Sequence, residues 1–215
     1  MSDLILLDLD ETLIKGDSAA LWIEFCVKKG LLDKEAINKT QAFHALYNEG
    51  RLKMADFMHF FLSSIKNRSE NEVENLVDEF IKAFIKPYEK ALELIKKLKQ
   101  ENKRLIIISA TADFLVSKIA KSLGINESIA IITERENGHF TGKTKGVFSF
   151  REGKIARLKE YLGDHFGILI KNASFYTDSI NDLFLLELVK NPVVCNADEA
   201  LRKIALERNY EILNF

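Results

Sequence analysis

The sequence predicts an α/β fold, in which a parallel sheet carries helices on both faces and a block of helices is inserted after the first strand. Three observations support this fold class. An apolar run at residues 4–9 ends among carboxylates, residues 18–86 contain helical patterns only, and strand and helix patterns alternate over residues 88–213. Such alternation is typical of a parallel sheet whose strands are joined by helices that cross its faces.

The first strand is predicted at residues 4–9, since this apolar run is too short for a helix and is typical of a buried strand. Amphipathic helices follow it, with ends marked by Gly30 and Gly50 and by the capping box of Ser69 and Glu72. These four helices are predicted at residues 19–29, 34–48, 54–65 and 70–85.

Pro87 marks the end of the helical block. Beyond it, helices are predicted at residues 88–101, 113–123, 154–162, 180–189 and 198–208. Strands are predicted at residues 104–109, 129–133, 173–177, 192–195 and 210–213. We therefore expect a core domain of residues 1–15 and 87–215, interrupted by a helical cap domain of residues 16–86.

Composition restricts the class of function. Of 215 residues, 47% are hydrophobic and 29% charged, which is enough for a sizeable core beneath a polar surface. The net charge of −1 gives no basic excess for binding nucleic acid or an anionic membrane. No apolar run is long enough to span a bilayer, and Asp3 stands where a signal peptide needs a basic residue, so a cytoplasmic protein is expected.

Two acidic residues, Asp8 and Asp10, stand at the end of the first predicted strand. Carboxylates this close to a buried strand are unfavourable unless a cation compensates their charge. The carboxyl ends of parallel strands are also where open sheets bind ligands. The pair therefore indicates a cation or phosphate site, with a solvated strand end followed by a helix cap as the structural alternative.

Three later patterns also lie at or just beyond strand ends or before helices. Ser109 and Ala110 offer a hydroxyl and a backbone N–H before a helix, which suits an anion, although an ordinary helix cap has the same pattern. Lys154 follows a glycine at the start of a helix, where a surface charge is the alternative. The last pattern comprises Asp178, Asn181 and Asp182, and for it a capping aspartate is the alternative.

The order of these patterns resembles that of the haloacid dehalogenase superfamily: Asp-x-Asp-x-Thr at residues 8–12, a strand-end Ser, a Lys, and Asp-x-x-x-Asp at residues 178–182. The resemblance covers essentially the whole chain. The inserted helices, with residues 15–18 and 191–196, are similar to subfamily IB, the phosphoserine phosphatase-like hydrolases. The resemblance implies a Rossmann-like core with a four-helix cap of the C1 type.

The resemblance also implies a Mg²⁺-dependent phosphatase that acts on a small phosphate ester. Asp8 would be the nucleophile that forms an aspartyl-phosphate, and Asp10 would be the general acid and base. The implied phosphate ligands are Ser109, Ala110, Lys154 and Asn181. The implied metal ligands, oxygen donors that suit Mg²⁺, are Asp8, Asp10, Asp178 and Asp182. Haloalkanoate dehalogenases of the superfamily lack the second acid, so its presence favours phosphoryl transfer.

Substrate choice is expected to depend on two residues of the cap. Phosphoserine phosphatases, as the resemblance implies, hold the substrate's head group with an acid, here Asp17, and with an Arg whose position is occupied by His59. A His cannot form the bidentate bond that an Arg forms to a carboxylate. We therefore expect a substrate other than phosphoserine, such as an amino-alcohol or sugar phosphate, unless Arg51 or Lys53 supplies the charge.

Two other functions share these patterns. A phosphotransferase of the same fold would pass the phosphoryl group to another alcohol, and only water access to Asp8 separates it from a hydrolase. A non-catalytic, phosphate-responsive module is the second alternative, but such a switch has no need of an acid at Asp10.

The remaining reactive side chains are predicted to have structural roles. Cys26 and Cys195 lie in apolar surroundings and are expected to be buried thiols. The histidines expected at the surface or in the core are His44, His139 and His165.

Overall fold

A computed structural model describes residues 3–197 and 199–215. Its described strands form one seven-stranded sheet in the order β4-β3-β2-β1-β5-β6-β7. The strands are β1 (Leu4–Leu7), β2 (Arg104–Ala112), β3 (Glu127–Glu136), β4 (His139–Lys145), β5 (Ser174–Thr177), β6 (Asn191–Cys195) and β7 (Glu211–Leu213). All neighbouring strands are parallel except β3 and β4, which are antiparallel. The predicted α/β class with a mostly parallel sheet is confirmed.

The described helices cover both faces of this sheet. They are α1 (Ser18–Lys28), α2 (Glu35–Asn48), α3 (Met54–Phe61), α4 (Glu70–Phe84), α5 (Glu89–Gln100), α6 (Asp113–Ser122), α7 (Glu152–Leu162), α8 (Phe166–Leu169), α9 (Leu183–Leu186) and α10 (Glu199–Glu207). A 3₁₀ turn at Leu62–Ser64 extends α3. We define α1–α4 as the helical insertion. The insertion follows β1, and α5 then leads into β2.

Strand β1 shows why the sheet is covered on both sides. Successive side chains of a strand point to opposite faces, so Ile5 and Leu7 join the cluster beneath α1 and α4 to α6. Leu4 and Leu6 join the other cluster, beneath α7 to α10. All four side chains are buried. The continuous apolar run that predicted this strand is therefore explained by two buried faces.

The helical insertion has an aromatic core of its own. The Trp22 ring of α1 contacts Phe80 of α4 and Phe114 of α6, each at a centroid distance of 5.4 Å. The indole N–H of Trp22 donates to Ser64 Oγ at 2.9 Å, so the buried nitrogen keeps a hydrogen bond. The capping box predicted at the start of α4 is present.

Strand β4 was not predicted from the sequence. Asn137 and Gly138 link it to β3 with φ of 50° and 75°, the left-handed pair that a tight hairpin requires. Asn-Gly was the available signal, but the flanking strands are too polar to alternate clearly. The outer edge of β4 bonds to the insertion: Phe140 N–H donates to the Arg68 carbonyl, and Asn67 N–H donates to the Phe140 carbonyl.

Other differences concern element ends. The helix predicted over residues 180–189 is a 3₁₀ turn at Ile180–Asp182 followed by the single turn α9. Strand β2 continues to Ala112, with a register shift between Ile108 and Ala112. Of the helix predicted at residues 198–208, residue 198 lies outside the described residues. Among those described, no helix has both the length and the hydrophobicity that crossing a bilayer requires.

Candidate active site

A cavity of about 500 Å³ opens where β1, β2 and β5 end, beneath the helical insertion. Its volume suits a small metabolite. The sequence-predicted residues that line it are Asp8, Asp10, Asp17, Ser109, Ala110, Lys154, Asp178 and Asn181. Patterns 170 residues apart in the sequence thus meet at one edge of the sheet, as expected from the carboxyl ends of parallel strands.

Asp8 and Lys154 form a buried ion pair at the floor of this cavity. Asp8 follows β1 and is fixed by its backbone N–H, which donates to the Tyr176 carbonyl of β5 at 2.8 Å. Lys154 Nζ lies 2.7 Å from Asp8 Oδ1 and 2.7 Å from Asp182 Oδ2. Burial raises the pKa of Asp8 to about 6, against the opposing effect of the Lys154 ammonium. The Asp8 carboxylate is therefore ionised at neutral pH.

Asp10 lies above Asp8 and is held by two donors. The Ser18 backbone N–H donates to its Oδ1 at 2.7 Å, and the Thr111 hydroxyl donates to its Oδ2 at 3.1 Å. Burial, with the charges of Asp17 and Asp8, raises the pKa of Asp10 to about 8. Two neighbouring carboxyl groups with pKa values on either side of neutrality are the arrangement that nucleophile and acid require.

Asp178 faces the cavity from the end of β5. Its Oδ1 accepts a hydrogen bond from the Thr12 hydroxyl at 3.3 Å. Burial and the charges of Asp8 and Asp182 raise the pKa of Asp178 well above its usual range. Its ionised form is therefore destabilised by the neighbouring acids, and a cation beside it would stabilise that form.

Ser109, Ala110 and Asn181 complete the polar wall. The Ser109 Oγ accepts from the Thr111 N–H at 3.1 Å, and the Ser109 carbonyl accepts from the Ser149 hydroxyl at 2.6 Å. Asn181 is buried, and its Nδ2 donates to the Tyr47 carbonyl of α2 at 3.4 Å. These residues bring neutral donors to the side of the cavity where an anion would meet Lys154.

The model of the haloacid dehalogenase-like hydrolase family matches residues 5–187 of this chain. The chain belongs to that family. Histidinol-phosphatase of Neisseria meningitidis serogroup C (strain 8013) is 34% identical to it over 221 residues, which cover 100% of both chains. The chain is accordingly a phosphatase of the haloacid dehalogenase-like family.

Two solved structures share the whole fold of this haloacid dehalogenase-like hydrolase. A protein of unknown function from Bordetella pertussis Tohama I superimposes with a TM-score of 0.91 at 30% identity, covering 99% of this chain and 98% of that one. A phosphoserine phosphatase, solved as a phospho-aspartyl intermediate analogue, gives a TM-score of 0.72 at 21% identity over 99% and 93% of the two chains. The latter likeness confirms the fold, including the helices inserted after β1.

Two of the predicted site residues of this family member lie elsewhere. Asp182 does not line the cavity: its Oδ2 accepts from Lys154 Nζ and from the Thr177 hydroxyl, both at 2.7 Å, beneath Asp8. In the structure Asp182 thus contacts Lys154 rather than the cavity, and metal binding by Asp182 stays a prediction. The 3₁₀ turn at residues 180–182 directs Asp182 into the core while Asn181 faces the cavity.

His59 is also not part of the cavity. Helix α3 presents Met54 and Phe57 to it, and His59, two residues and about 200° further round the helix, is exposed. The number of residues along the chain does not fix which face of α3 meets the cavity, and in the structure His59 lies outside it. Arg51 and Lys53 are exposed and do not line the cavity either.

Asp17 does line the cavity, and it has a structural role as well. Its Oδ1 accepts from the N–H groups of Ala19 and Ala20 and so caps α1. His44, interpreted as having no role, lies on the cavity wall, on the exposed side of α2.

Several residues of the site were assigned no role from the sequence. Thr111, on the cavity wall, donates to Asp10, and Thr12, buried behind the wall, donates to Asp178. The apolar part of the wall includes Phe43, Leu52, Met54 and Phe57. The aromatic residues could not be selected, because helical spacing predicts a core role for all of them.

The donor set of the cavity fits Mg²⁺. In the part of the chain that the structure describes, no three His, Cys, Asp or Glu side chains are arranged to enclose a metal ion. The Asp10 carboxylate is bonded to Ser18 and Thr111, so the carboxylates of Asp8 and Asp178 remain for a cation. Mg²⁺ is usually held by one or two carboxylates, with water and a substrate phosphate completing its shell.

Proposed function

We propose that this protein is a Mg²⁺-dependent phosphomonoesterase that forms an aspartyl-phosphate on Asp8 and acts on amino-alcohol phosphates carrying a flat ring, with histidinol phosphate as the first candidate. The observation that carries the proposal is a single cavity that joins the buried Asp8–Lys154 pair to an acidic and aromatic wall.

The nucleophile in this proposal is the Asp8 carboxylate. It attacks phosphorus as the bond to the leaving alcohol breaks, and the Asp10 proton passes to the alcohol oxygen. Water then attacks the aspartyl-phosphate, gives a proton to Asp10 and releases phosphate and the Asp8 carboxylate. The contacts of Asp10 with Ser18 and Thr111 support this role, because they hold its carboxyl group in one place through both steps.

The phosphate would be bound by Lys154, Ser109, the Ala110 N–H and Asn181. Lys154 brings the positive charge, although burial alone would disfavour its ammonium form. The carboxylates of Asp182 and Asp8 raise the pKa of Lys154, so it remains charged. Mg²⁺ would be held by Asp8, Asp178 and the Asp10 carbonyl. The chemistry that the metal supplies when bound is neutralisation of charge between two anions.

Charge on the cavity wall supports a cationic head group. Besides Asp8, Asp10 and Asp178, the wall includes Glu11 and Asp17, whereas no arginine of the described residues lines it. A substrate carboxylate would therefore lack a charged partner, and this loss is worth about 1.5–3 kcal/mol per charge-assisted bond. An ammonium group near Asp17 would be favoured instead.

The apolar side of the wall supports a ring. Phe43 of α2 and Phe57 of α3 meet edge to face at 5.5 Å between centroids, and both line the cavity. Aromatic side chains of this kind pack well against a flat group. Histidinol phosphate has an ammonium, a ring and no carboxylate, and the relative from Neisseria meningitidis is named for acting on it.

The test is a comparison of kcat/KM for histidinol phosphate, phosphoethanolamine, phosphoserine and a sugar phosphate, with and without Mg²⁺. We expect histidinol phosphate to be the best substrate, by at least tenfold over phosphoserine. A preference for phosphoserine over all the others would contradict the assigned substrate class, and turnover of none of them would contradict the activity.

A further inference from the structure

Arg151 has a backbone conformation that is rare for any residue other than glycine. Its φ of 53° and ψ of −129° lie outside the regions open to side chains with a Cβ atom. Strain of this kind persists only where surrounding contacts hold it, and it concentrates at functional sites. The residue immediately precedes α7, which carries Lys154 one turn later.

The guanidinium of Arg151 joins two parts of the molecule. Its Nε donates to Asn181 Oδ1 at 3.0 Å, on the cavity wall at the end of β5. Its Nη2 donates to the Gly50 carbonyl at 2.7 Å, just beyond the end of α2 in the helical insertion. A cation at the C-terminal end of a helix is also favoured by the helix dipole.

These contacts determine which way the Asn181 amide faces. A guanidinium only donates hydrogen bonds, so the oxygen of Asn181 must face Arg151. The amide nitrogen therefore faces the opposite side, where it donates to the Tyr47 carbonyl and adjoins the cavity. Arg151 thus presents Asn181 to the cavity as a donor, the form that an anion requires.

Tyr47 adds a second set of contacts between the same two parts. Its hydroxyl lies 3.0 Å from Ser179 Oγ, and its ring lies 5.8 Å from that of Phe150. All of these contacts involve residues 47–50 of the insertion and the loops at residues 150–151 and 179–181 of the sheet. The end of α2 is therefore attached to the phosphate side of the cavity, with Arg151 between them.

We propose that Arg151 is a positioning residue that couples seating of the helical insertion to phosphate binding. When residues 47–50 lie against the core, Arg151 holds Asn181 with its amide nitrogen toward the phosphate. When that segment moves away, Arg151 loses the Gly50 carbonyl and Asn181 loses the Tyr47 carbonyl. The amide of Asn181 is then free to turn, and phosphate affinity falls. The inference rests on the proposed function, since it assigns phosphate to this cavity.

Replacing Arg151 with glycine separates this role from a structural one. Glycine relieves the backbone strain, so Arg151→Gly should melt at the wild-type temperature or above it. Its phosphate affinity should nevertheless fall, with the Ki of inorganic phosphate rising about tenfold, as expected for one charge-assisted contact. Arg151→Lys keeps the charge but cannot reach both oxygens, and should show a smaller rise in Ki.

Arg151→Gly changes the backbone and also removes a charge, and each of these changes has its own control variant. Asn102→Gly places glycine at another positive φ, 55°, in the turn after α5, and so controls for the backbone. Arg51→Ala removes an exposed arginine whose one ion pair among the described residues is with Glu49, and so controls for charge. Neither should alter the Ki of phosphate or the KM of the substrate.

Hydrogen exchange of residues 44–52 gives a readout that does not depend on activity. The amides of this segment should exchange faster in Arg151→Gly than in wild type, and those of α4 should be unchanged. Unchanged exchange, or an unchanged Ki for phosphate, would overturn the coupling even in an active enzyme. If wild-type protein neither binds phosphate nor hydrolyses an ester, while exchange still responds to Arg151→Gly, the proposed function fails and the attachment of the insertion stands.

Discussion

Lys154 Nζ lies 2.7 Å from Asp8 Oδ1, and only 3% and 9% of these two side chains are exposed. The lysine is also bonded to Asp182, whereas Asp8 has no other cation among the described ion pairs. The two partners are therefore unequal. Loss of Asp8 leaves Lys154 paired, but loss of Lys154 leaves two buried carboxylates without a counter-charge.

The first prediction concerns the activity and stability of Asp8→Asn, in which Lys154 keeps its second partner. Asp8→Asn should reduce kcat by at least 10³-fold, because an amide cannot act as the nucleophile, a role that supplies much of a phosphatase's very large rate enhancement. Its melting temperature should stay close to that of wild type, since Lys154 keeps Asp182. Turnover near the wild-type rate by folded Asp8→Asn, measured with p-nitrophenyl phosphate, would exclude Asp8 as the nucleophile.

Lys154→Met should affect the stability of the fold far more than Asp8→Asn does. It should destabilise the fold by about 3–5 kcal/mol, the usual effect of removing one partner from a buried ion pair. Urea unfolding of Lys154→Met and of Asp8→Asn measures the contrast. Equal loss in the two variants would contradict the unequal pairing. The double variant Asp8→Asn/Lys154→Met should recover part of the lost stability, because it leaves one fewer uncompensated carboxylate.

The third prediction concerns the metal. EDTA should abolish activity and Mg²⁺ should restore it, whereas Ca²⁺ should support it poorly, since Ca²⁺ favours more ligands and looser geometry. Mg²⁺ should also raise the melting temperature, because it binds the folded carboxylates and not the unfolded chain. Asp178→Asn should lose most of that thermal shift. A shift of full size in Asp178→Asn would exclude Asp178 as a ligand.

A fourth prediction compares two residues of α3. Phe57→Ala should raise the KM for histidinol phosphate severalfold with little change for phosphoethanolamine, since only the ringed substrate uses the aromatic wall. His59→Ala, two residues further along and exposed, should change neither. An effect of His59→Ala equal to that of Phe57→Ala would support the interpretation that His59 contacts the substrate.

Local patterns in the sequence were enough to place some residues together in space. Asp8 and Asp178 meet because the sheet brings strand ends together whatever their separation in the chain, and Lys154 joins them from the first turn of α7. The position of His59 could not be predicted, because no local rule fixes which face of a helix meets a cavity beneath the insertion. The sequence did not determine whether Asn181 or Asp182 faces the cavity, because a single 3₁₀ turn decides it.

Strand β4 and Arg151 show two further limits. The β3–β4 hairpin depends on contacts with residues 67–70 of the insertion, which lie far from it in sequence. Residue propensity does not predict the strained conformation of Arg151, because arginine normally avoids a positive φ. Features that depend on compensating tertiary contacts are thus the ones that a single sequence leaves undetermined.

The attachment of β4 to the insertion has a consequence for the behaviour of the chain in concentrated solution. An exposed strand edge is a template for pairing between molecules and for aggregation. Residues 67–70 bond to residues 138–140 and so cover the start of the outer edge of β4, and the opposite edge of the described sheet, β7, is only three residues long. Intermolecular strand pairing therefore has less exposed backbone to begin from. Variants that detach residues 67–70 from β4 should aggregate at lower temperature than those that loosen α2.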